Sequence, residues 1–465
     1  MTSEGHPVQT GPDEHTQLLT EHAPAAAALV DLGRPLAIPS AAQLRWHREE
    51  LAMFVHLGLN TMTGREWGDG TEDPALFAPH QLDARAWARL ARETGFGTLV
   101  LTAKHHDGFC LWPTATTAHS VAASPWRDGS SDVVAEVADA CRAEGIRLGL
   151  YCSPWDRNAP SYGSGDAYND LYIAQLTELL TGYGDVAQVW FDGAVGETDA
   201  GRQRYDWPRI HATVRRLQPD AVMFSDSGPD LRWVGNESGV GSLTSWCAID
   251  SARVPEPGRS DPWTVDSLST GSPDGDVWRP PECDVSIRPG WFWHAEEDAQ
   301  VRDPYNLWSL YAATVGRGSK LLLNVPPNPD GVITDADAAA LHGFAALRER
   351  TLGTDLLATA TTHRDGDALI ITPEAPVEAD LLDLAEDIAE GQRIAAHRVE
   401  VDDGTGWRPL HAGTTIGNRR LIPLPPTRIA RLRVRIDLAY GEPRLSHVAL
   451  HVSPHGSTTR ADNHD

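Results

Sequence analysis

Along the chain, short runs of apolar residues alternate with stretches whose apolar positions recur at helical spacing. LAMFVHLGL (51–59) reads as a strand, DARAWARLARETG (83–95) as a helix with a glycine stop, and GTLVLTAKHHDG (97–108) as a strand and its loop. SDVVAEVADACRAEG (131–145) is a second helix, with Ser131 placed to cap its start and Gly145 its end. The unit repeats through a strand at 146–156, a helix at 169–184, a strand at 186–193, a helix at 207–220 and a strand at 221–228. Continuous apolar strands between amphipathic helices predict a parallel sheet covered by helices. Residues 240–320 read as loop-rich, SKLLLNVPPNPDG (319–331) as a closing strand with its turn, and 334–353 as the last helix.

Polar residues choose between an open sheet and a closed one. No GxGxxG follows the first strand, which weakens a dinucleotide-binding reading. A polar or ionisable residue instead closes each strand: His56, His105 and His106, Tyr151, Asp192, Asp226, then Glu237. Barrels of the (β/α)8 type build their sites at the C-terminal strand ends. The prediction is an α/β chain with a (β/α)8-type, TIM-like barrel over 43–353. After Gly353 the apolar period shortens to two, with turn residues between segments, which predicts an antiparallel β-sandwich over 354–454. Residues 1–42 read as a partly disordered leader and 455–465 as a disordered tail.

Composition narrows the function. The net charge of −26 disfavours nucleic acid and anionic membrane as partners, and no apolar run has the length of a membrane span. The five cysteines, an odd number without a CxxC pair, fit neither a disulfide framework nor a zinc site. With no basic, apolar leader pattern at the start, the expected location is the cytoplasm. Sixteen Trp against nine Tyr and eight Phe is a skewed aromatic set, and indole faces stack well on the C–H faces of sugars.

The strand-end residues supply candidate chemistry. Glycoside hydrolysis commonly uses two carboxyl groups. Asp192, at the mouth of VWFDG (189–193), is the first candidate, with Gly193 behind it leaving room for a sugar. Glu237 in RWVGNESGVG (232–241), Asp226 in FSDSG and Glu66 in REWGDG compete for the second, and spacing alone does not choose among them. His56, His105 and His106 could hold a metal ion or, as neutral imidazoles, hydrogen-bond a polyol. The metal-dependent hydrolase is therefore a competing expectation. A non-catalytic sugar-binding module seated on the sandwich is a third, although the sandwich offers only Trp407 and Tyr440 as aromatic platforms.

FVHLGLNT, EWGDG, TAKHHDGFCLW, LGLYCSPWD, VWFDGAVGE, WVGNESG and LLLNVPPNPDG, in that order over roughly 45–350, resemble glycoside hydrolase family 29, the α-L-fucosidases. The trailing sandwich matches that family's usual layout. The resemblance implies a retaining, exo-acting fucosidase with Asp192 as nucleophile, no metal and no cofactor. The GNE segment resembles the subgroup that cleaves α-1,3/1,4-linked branches, which implies Glu237 as acid/base. A broader specificity for aryl or α-1,2/α-1,6 fucosides is the alternative. His56, Glu66, Trp67, His105, His106, Tyr151 and Trp190 would then line the fucose pocket, with Trp291 or Phe292 of GWFWH against the sugar's methyl group. The implied partner is a fucosylated oligosaccharide or glycoconjugate; the oligomeric state is left open.

Overall fold

The computed structural model describes residues 28–199, 201–258 and 262–454; the tail expected over 455–465 and most of the expected leader lie outside them. Eight parallel strands close into a barrel: β1 (Leu51–Val55), β2 (Thr98–Lys104), β3 (Arg147–Cys152), β4 (Gln188–Trp190), β5 (Val222–Ser225), β6 (Leu231–Trp233), β7 (Pro281–Ser286) and β8 (Lys320–Asn324). Each strand pairs with its neighbours in sequence, and β6 beside β7 and β8 beside β1 complete the ring. Helices Ala84–Glu93, Val133–Glu144, Asp166–Gly182, Trp207–Leu217, Pro304–Thr314 and Asp335–Leu352 follow β1, β2, β3, β4, β7 and β8.

Period-2 alternation sorts each strand between two cores. Leu51, Met53 and Val55 of β1 pack outward under the helices, while Ala52 and Phe54 point to the barrel axis. The same parity sends Tyr151, Trp190, Phe224 and Leu322 inward. At the floor Glu282 accepts hydrogen bonds from Gln188 Nε2, Trp190 Nε1 at 2.9 Å and Trp46 Nε1 at 3.2 Å. This buried carboxylate fixes three inward side chains at once, at the cost of its desolvation.

Two strands were missed in the sequence. β6 has three residues, and PECDVS of β7 carries Glu282, Asp284 and Ser286 on its inward face, so a polar interior hides the strand from a hydropathy reading. Between β5 and β6 the chain returns in five residues, 226–230, with no helix. The cap of the helix at 133–144 also differs from expectation. Asp132 accepts from Ala135 N, whereas Ser131 Oγ donates to Trp126 O; Gly145 closes the helix in the left-handed conformation as expected.

Residues 28–42 are integral to the fold. Ala28–Leu29 pair with strand Arg431–Ala439, and Ser40 caps the helix Ala41–Arg48, whose Trp46 plugs the barrel floor. After the last helix, antiparallel strands form two sheets: one joins Thr361–Asp365, Ala368–Thr372, Arg431–Ala439, Ile394–Asp402 and Trp407–Gly413, and the other joins Val377–Glu386, Arg420–Ile429 and Leu445–His451. Their inner faces enclose a second core that includes Leu382, Val399, Ile422 and Val434. The sandwich is locked to the barrel through Glu50, which accepts from Tyr311 Oη at 2.6 Å and Arg419 Nη1 at 2.7 Å. Arg419 also binds Asp383 of the sandwich.

Candidate active site

At the C-terminal mouth of the barrel, inward parity carries past the strand ends. Ala52 and Phe54 are followed by His56, and Gln188 and Trp190 by Asp192. On β2 the register slips between Thr102 and Lys104. Lys104 consequently bonds Asp156 at 3.0 Å beneath the site, and the two histidines that follow it enter the pocket.

The Asp192 carboxylate accepts from Tyr151 Oη at 3.0 Å and Ala194 N at 2.8 Å, and His106 Nε2 lies 3.9 Å from it. Ser153 Oγ donates to Trp155 O, so it accepts from His106 Nδ1 at 2.7 Å. That tautomer leaves the Nε2 lone pair facing the cavity. His56 is set in the same way: its Nδ1–H donates to Asn324 Oδ1 at 2.7 Å, because the Asn324 amide nitrogen donates to Ser286 Oγ and Trp291 O. Burial holds His56 down to about 3 and lowers His105 and His106 as well, although the Asp192 charge partly offsets this for His106. All three are neutral imidazoles at neutral pH, suited to exchanging hydrogen bonds with hydroxyls. Among the described residues, no three His, Cys, Asp or Glu side chains are arranged to hold a metal ion.

Asp192, Asp226, Glu237 and Asp284 open into one cavity of about 220 Å3, walled by Trp190, Phe224 and Trp233. Glu237 rides on a built loop. Asn236 Oδ1 accepts from Ser238 N and Oγ, and Nδ2 donates to Val240 O. Gly239 sits at φ +72°, where a Cβ would come within 2.8 Å of Val285, so the GNESG string encodes this turn. Burial raises the Glu237 carboxyl above its usual range, the Asp192 charge adds to the rise, and a hydrogen bond from Trp291 opposes it. Asp284 was not singled out in the sequence. Buried, it accepts from Trp233 Nε1 at 2.8 Å, and burial followed by the Glu237 charge pushes its carboxyl well above the usual range. Burial, then Asp192, raises Asp226 to about 6. Its Oδ2 accepts from Gly258 N at 2.9 Å.

The remaining expected residues divide by contact. Trp291 and Phe292 lie 5.4 and 5.3 Å from His56, and Phe292 also meets His105 edge-on at 4.9 Å, forming an apolar wall. Trp67, largely exposed, meets His106 at 6.2 Å. Trp155, unflagged in the sequence, packs on the same ring at 5.0 Å. Glu66 is committed elsewhere: it accepts from Trp291 N, Phe292 N and His294 Nε2, clamping the loop that carries the apolar wall. Gly193 has a second neighbour to accommodate. A Cβ there would lie 3.2 Å from Asp226 Oδ2 and 3.6 Å from Gly258 Cα, so its smallness admits that segment at the cavity wall, which Gly193 also lines. In the sandwich, one potential platform is spent, since Arg433 lies 3.9 Å over the Trp407 ring.

A model of the family described as Alpha-L-fucosidase matches residues 66–347. Alpha-L-fucosidase 1 of Arabidopsis thaliana is 38% identical over 459 residues, covering 91% of this chain and 89% of its own length. A glycoside hydrolase 29 family member from an unknown rumen bacterium superposes with a TM-score of 0.85 at 38% identity, over 90% of this chain and 78% of that one. A Ruminococcus gnavus family 29 fucosidase, solved in complex with fucose, superposes at 0.81 with 29% identity, over 93% and 98% of the two chains.

Proposed function

The chain belongs to the α-L-fucosidases of glycoside hydrolase family 29, and on that footing we propose that it is a retaining, exo-acting enzyme for terminal α-1,3/1,4-linked L-fucose. The observation that carries the proposal is the shared cavity into which Asp192 and Glu237 both open, beside three neutral histidines and an apolar wall. In the first step an Asp192 oxygen attacks the anomeric carbon. Glu237 gives its proton to the departing glycosidic oxygen, forming a covalent fucosyl-enzyme through an oxocarbenium-like transition state. Bond formation removes the Asp192 charge that helped hold the Glu237 proton. The pKa of Glu237 therefore falls, and it becomes the base that takes a proton from the incoming water. Water attack releases fucose with two inversions, hence net retention.

His56 and His106 present lone pairs that accept from sugar hydroxyls, and the Trp291–Phe292 wall suits the C6 methyl. Glu237 is preferred to Asp226 as acid because Asp226 is held by Gly258 N–H and packed against Gly193. The linkage preference rests on the loop that GNESG builds around Glu237. The five free, buried cysteines support a reducing compartment, the cytoplasm.

The test compares fucose release from an α-1,3/1,4-branched oligosaccharide, an α-1,2-fucosylated one and an aryl fucoside, with the anomer of the first product followed by NMR. The branched substrate is expected to lead and the α-anomer to appear first. A lead for the aryl substrate overturns the linkage preference, and a β-anomer overturns retention.

A further inference from the structure

A second cavity, of about 440 Å3, lies away from the catalytic mouth, between the barrel helix Pro304–Thr314 and the sandwich strands Trp407–Gly413 and Arg420–Ile429. Arg317 and Arg420 both line it, opposed in an antiparallel bridge that joins barrel to sandwich. Their hydrogen bonds go to neutral oxygens. Arg317 Nη1 donates to Gly241 O at 2.8 Å, Arg420 Nε to Thr415 O at 2.9 Å, and Arg420 Nη2 to Thr415 O and Oγ1 and to Leu243 O. Among the described residues neither arginine has a carboxylate partner, and no Asp or Glu lines the cavity.

That arrangement is local. The chain has 65 acidic residues against 39 Lys and Arg, and the nearby Arg419, Arg431, Arg433 and Arg435 are each paired with a carboxylate. Carbonyl acceptors satisfy N–H groups but do not neutralise a buried charge, so two adjacent guanidiniums remain uncompensated. Burial lowers both, Arg420 to about 10 with a contribution from Arg317. His397 and His411, held by burial at about 3 and about 4, add no charge. Trp308, Ala312, Leu421 and Ile422 give the wall an apolar stretch, with the hydroxyl side chains of Thr244, Ser309 and Thr414 beside it. A bare inorganic anion would fill little of this volume and leave that wall wet.

We infer that this junction is a non-catalytic binding site for a small amphipathic carboxylate, its head held by Arg317 and Arg420 and its body seated against Trp308 and the Ile422 strand. The full chain would be titrated calorimetrically with hexanoate, with 1-hexanol as the neutral analogue and with inorganic phosphate. Hexanoate is expected to bind saturably, at least about tenfold tighter than 1-hexanol, since a charge-assisted hydrogen bond is worth that factor or more. Arg317→Gln should weaken hexanoate by at least about tenfold. Ser309→Trp, on the exposed helix rim of the cavity, should block it. Both variants should keep wild-type kcat/KM on an aryl fucoside, which reports an intact fold. No saturable binding of hexanoate, phosphate binding as tightly as hexanoate, or an unchanged affinity in folded Arg317→Gln would each overturn the site.

Discussion

Truncating Glu66 to alanine tests whether its carboxylate acts on the sugar or on the loop. In the structure Oε2 accepts from Trp291 N at 2.8 Å, and Oε1 accepts from Phe292 N at 3.1 Å and His294 Nε2 at 2.8 Å. A net hydrogen bond contributes about 0.5–1.5 kcal/mol. The Glu66 side chain is 39% exposed, so solvent screening places each of the three at the low end. Together they hold the loop by about 1.5 kcal/mol, or about tenfold in population of the ordered wall. Glu66→Ala should therefore lower kcat/KM on an aryl fucoside by about tenfold, largely through KM, because the wall at Trp291 and Phe292 is what moves. Glu66→Gln can keep its oxygen for Phe292 N and His294 Nε2, giving up only the bond from Trp291 N, and should lose about two- to threefold. The readout is initial rates across substrate concentration for wild type and both variants. A Gln variant as impaired as the Ala variant would refute the clamp, because it would mean that the charge itself meets the substrate.

Asp192→Ala should lower kcat by at least about a thousandfold, as loss of a nucleophile does. Azide should restore turnover with a fucosyl azide of inverted configuration, and the absence of that product would remove Asp192 from the nucleophile's role. Activity of the wild type should fall as pH rises through the raised value of Glu237, since the acid must be protonated. Glu237→Gln should show no such basic limb, and a variant that retained it would assign the limb to another group. Asp226, raised by burial to about 6, stabilises the fold only while protonated. That contribution is complete below its unfolded value and is lost as pH rises from about 4 to about 6. Asp226→Asn should thus raise Tm at pH 7.5, by up to about 2–3 kcal/mol of stability, and not at pH 3.5. An equal gain at both would place the effect elsewhere.

The barrel was legible because its outer core is ordinary: Leu51, Met53 and Val55 pack under helices whatever happens inside the ring. The interior was harder to read. Glu282 and Asp284 are buried acids satisfied by indole and amide donors from other strands, and no local pattern announces such partners. Asp192 was visible because one polar residue closes an apolar strand. The role of Glu66 was not, since its partners lie more than 200 positions away. Nor could spacing show Ser153 and Asn324 choosing the tautomers of His106 and His56, a matter settled by hydrogen bonds made behind the rings.

The lock at Glu50 also bears on inheritance. Glu50 immediately precedes β1, adopts φ +63° without being glycine, and ties Tyr311 of the barrel to Arg419 of the sandwich. Modules joined by linkers can be exchanged by recombination one at a time. Here, a chain that lost its sandwich would keep a part-buried Tyr311–Glu50 pair stripped of its cation. A foreign sandwich would have to bring an arginine to the same point in space. The two halves are thus bound to diverge together, and their melting should register as a single calorimetric transition.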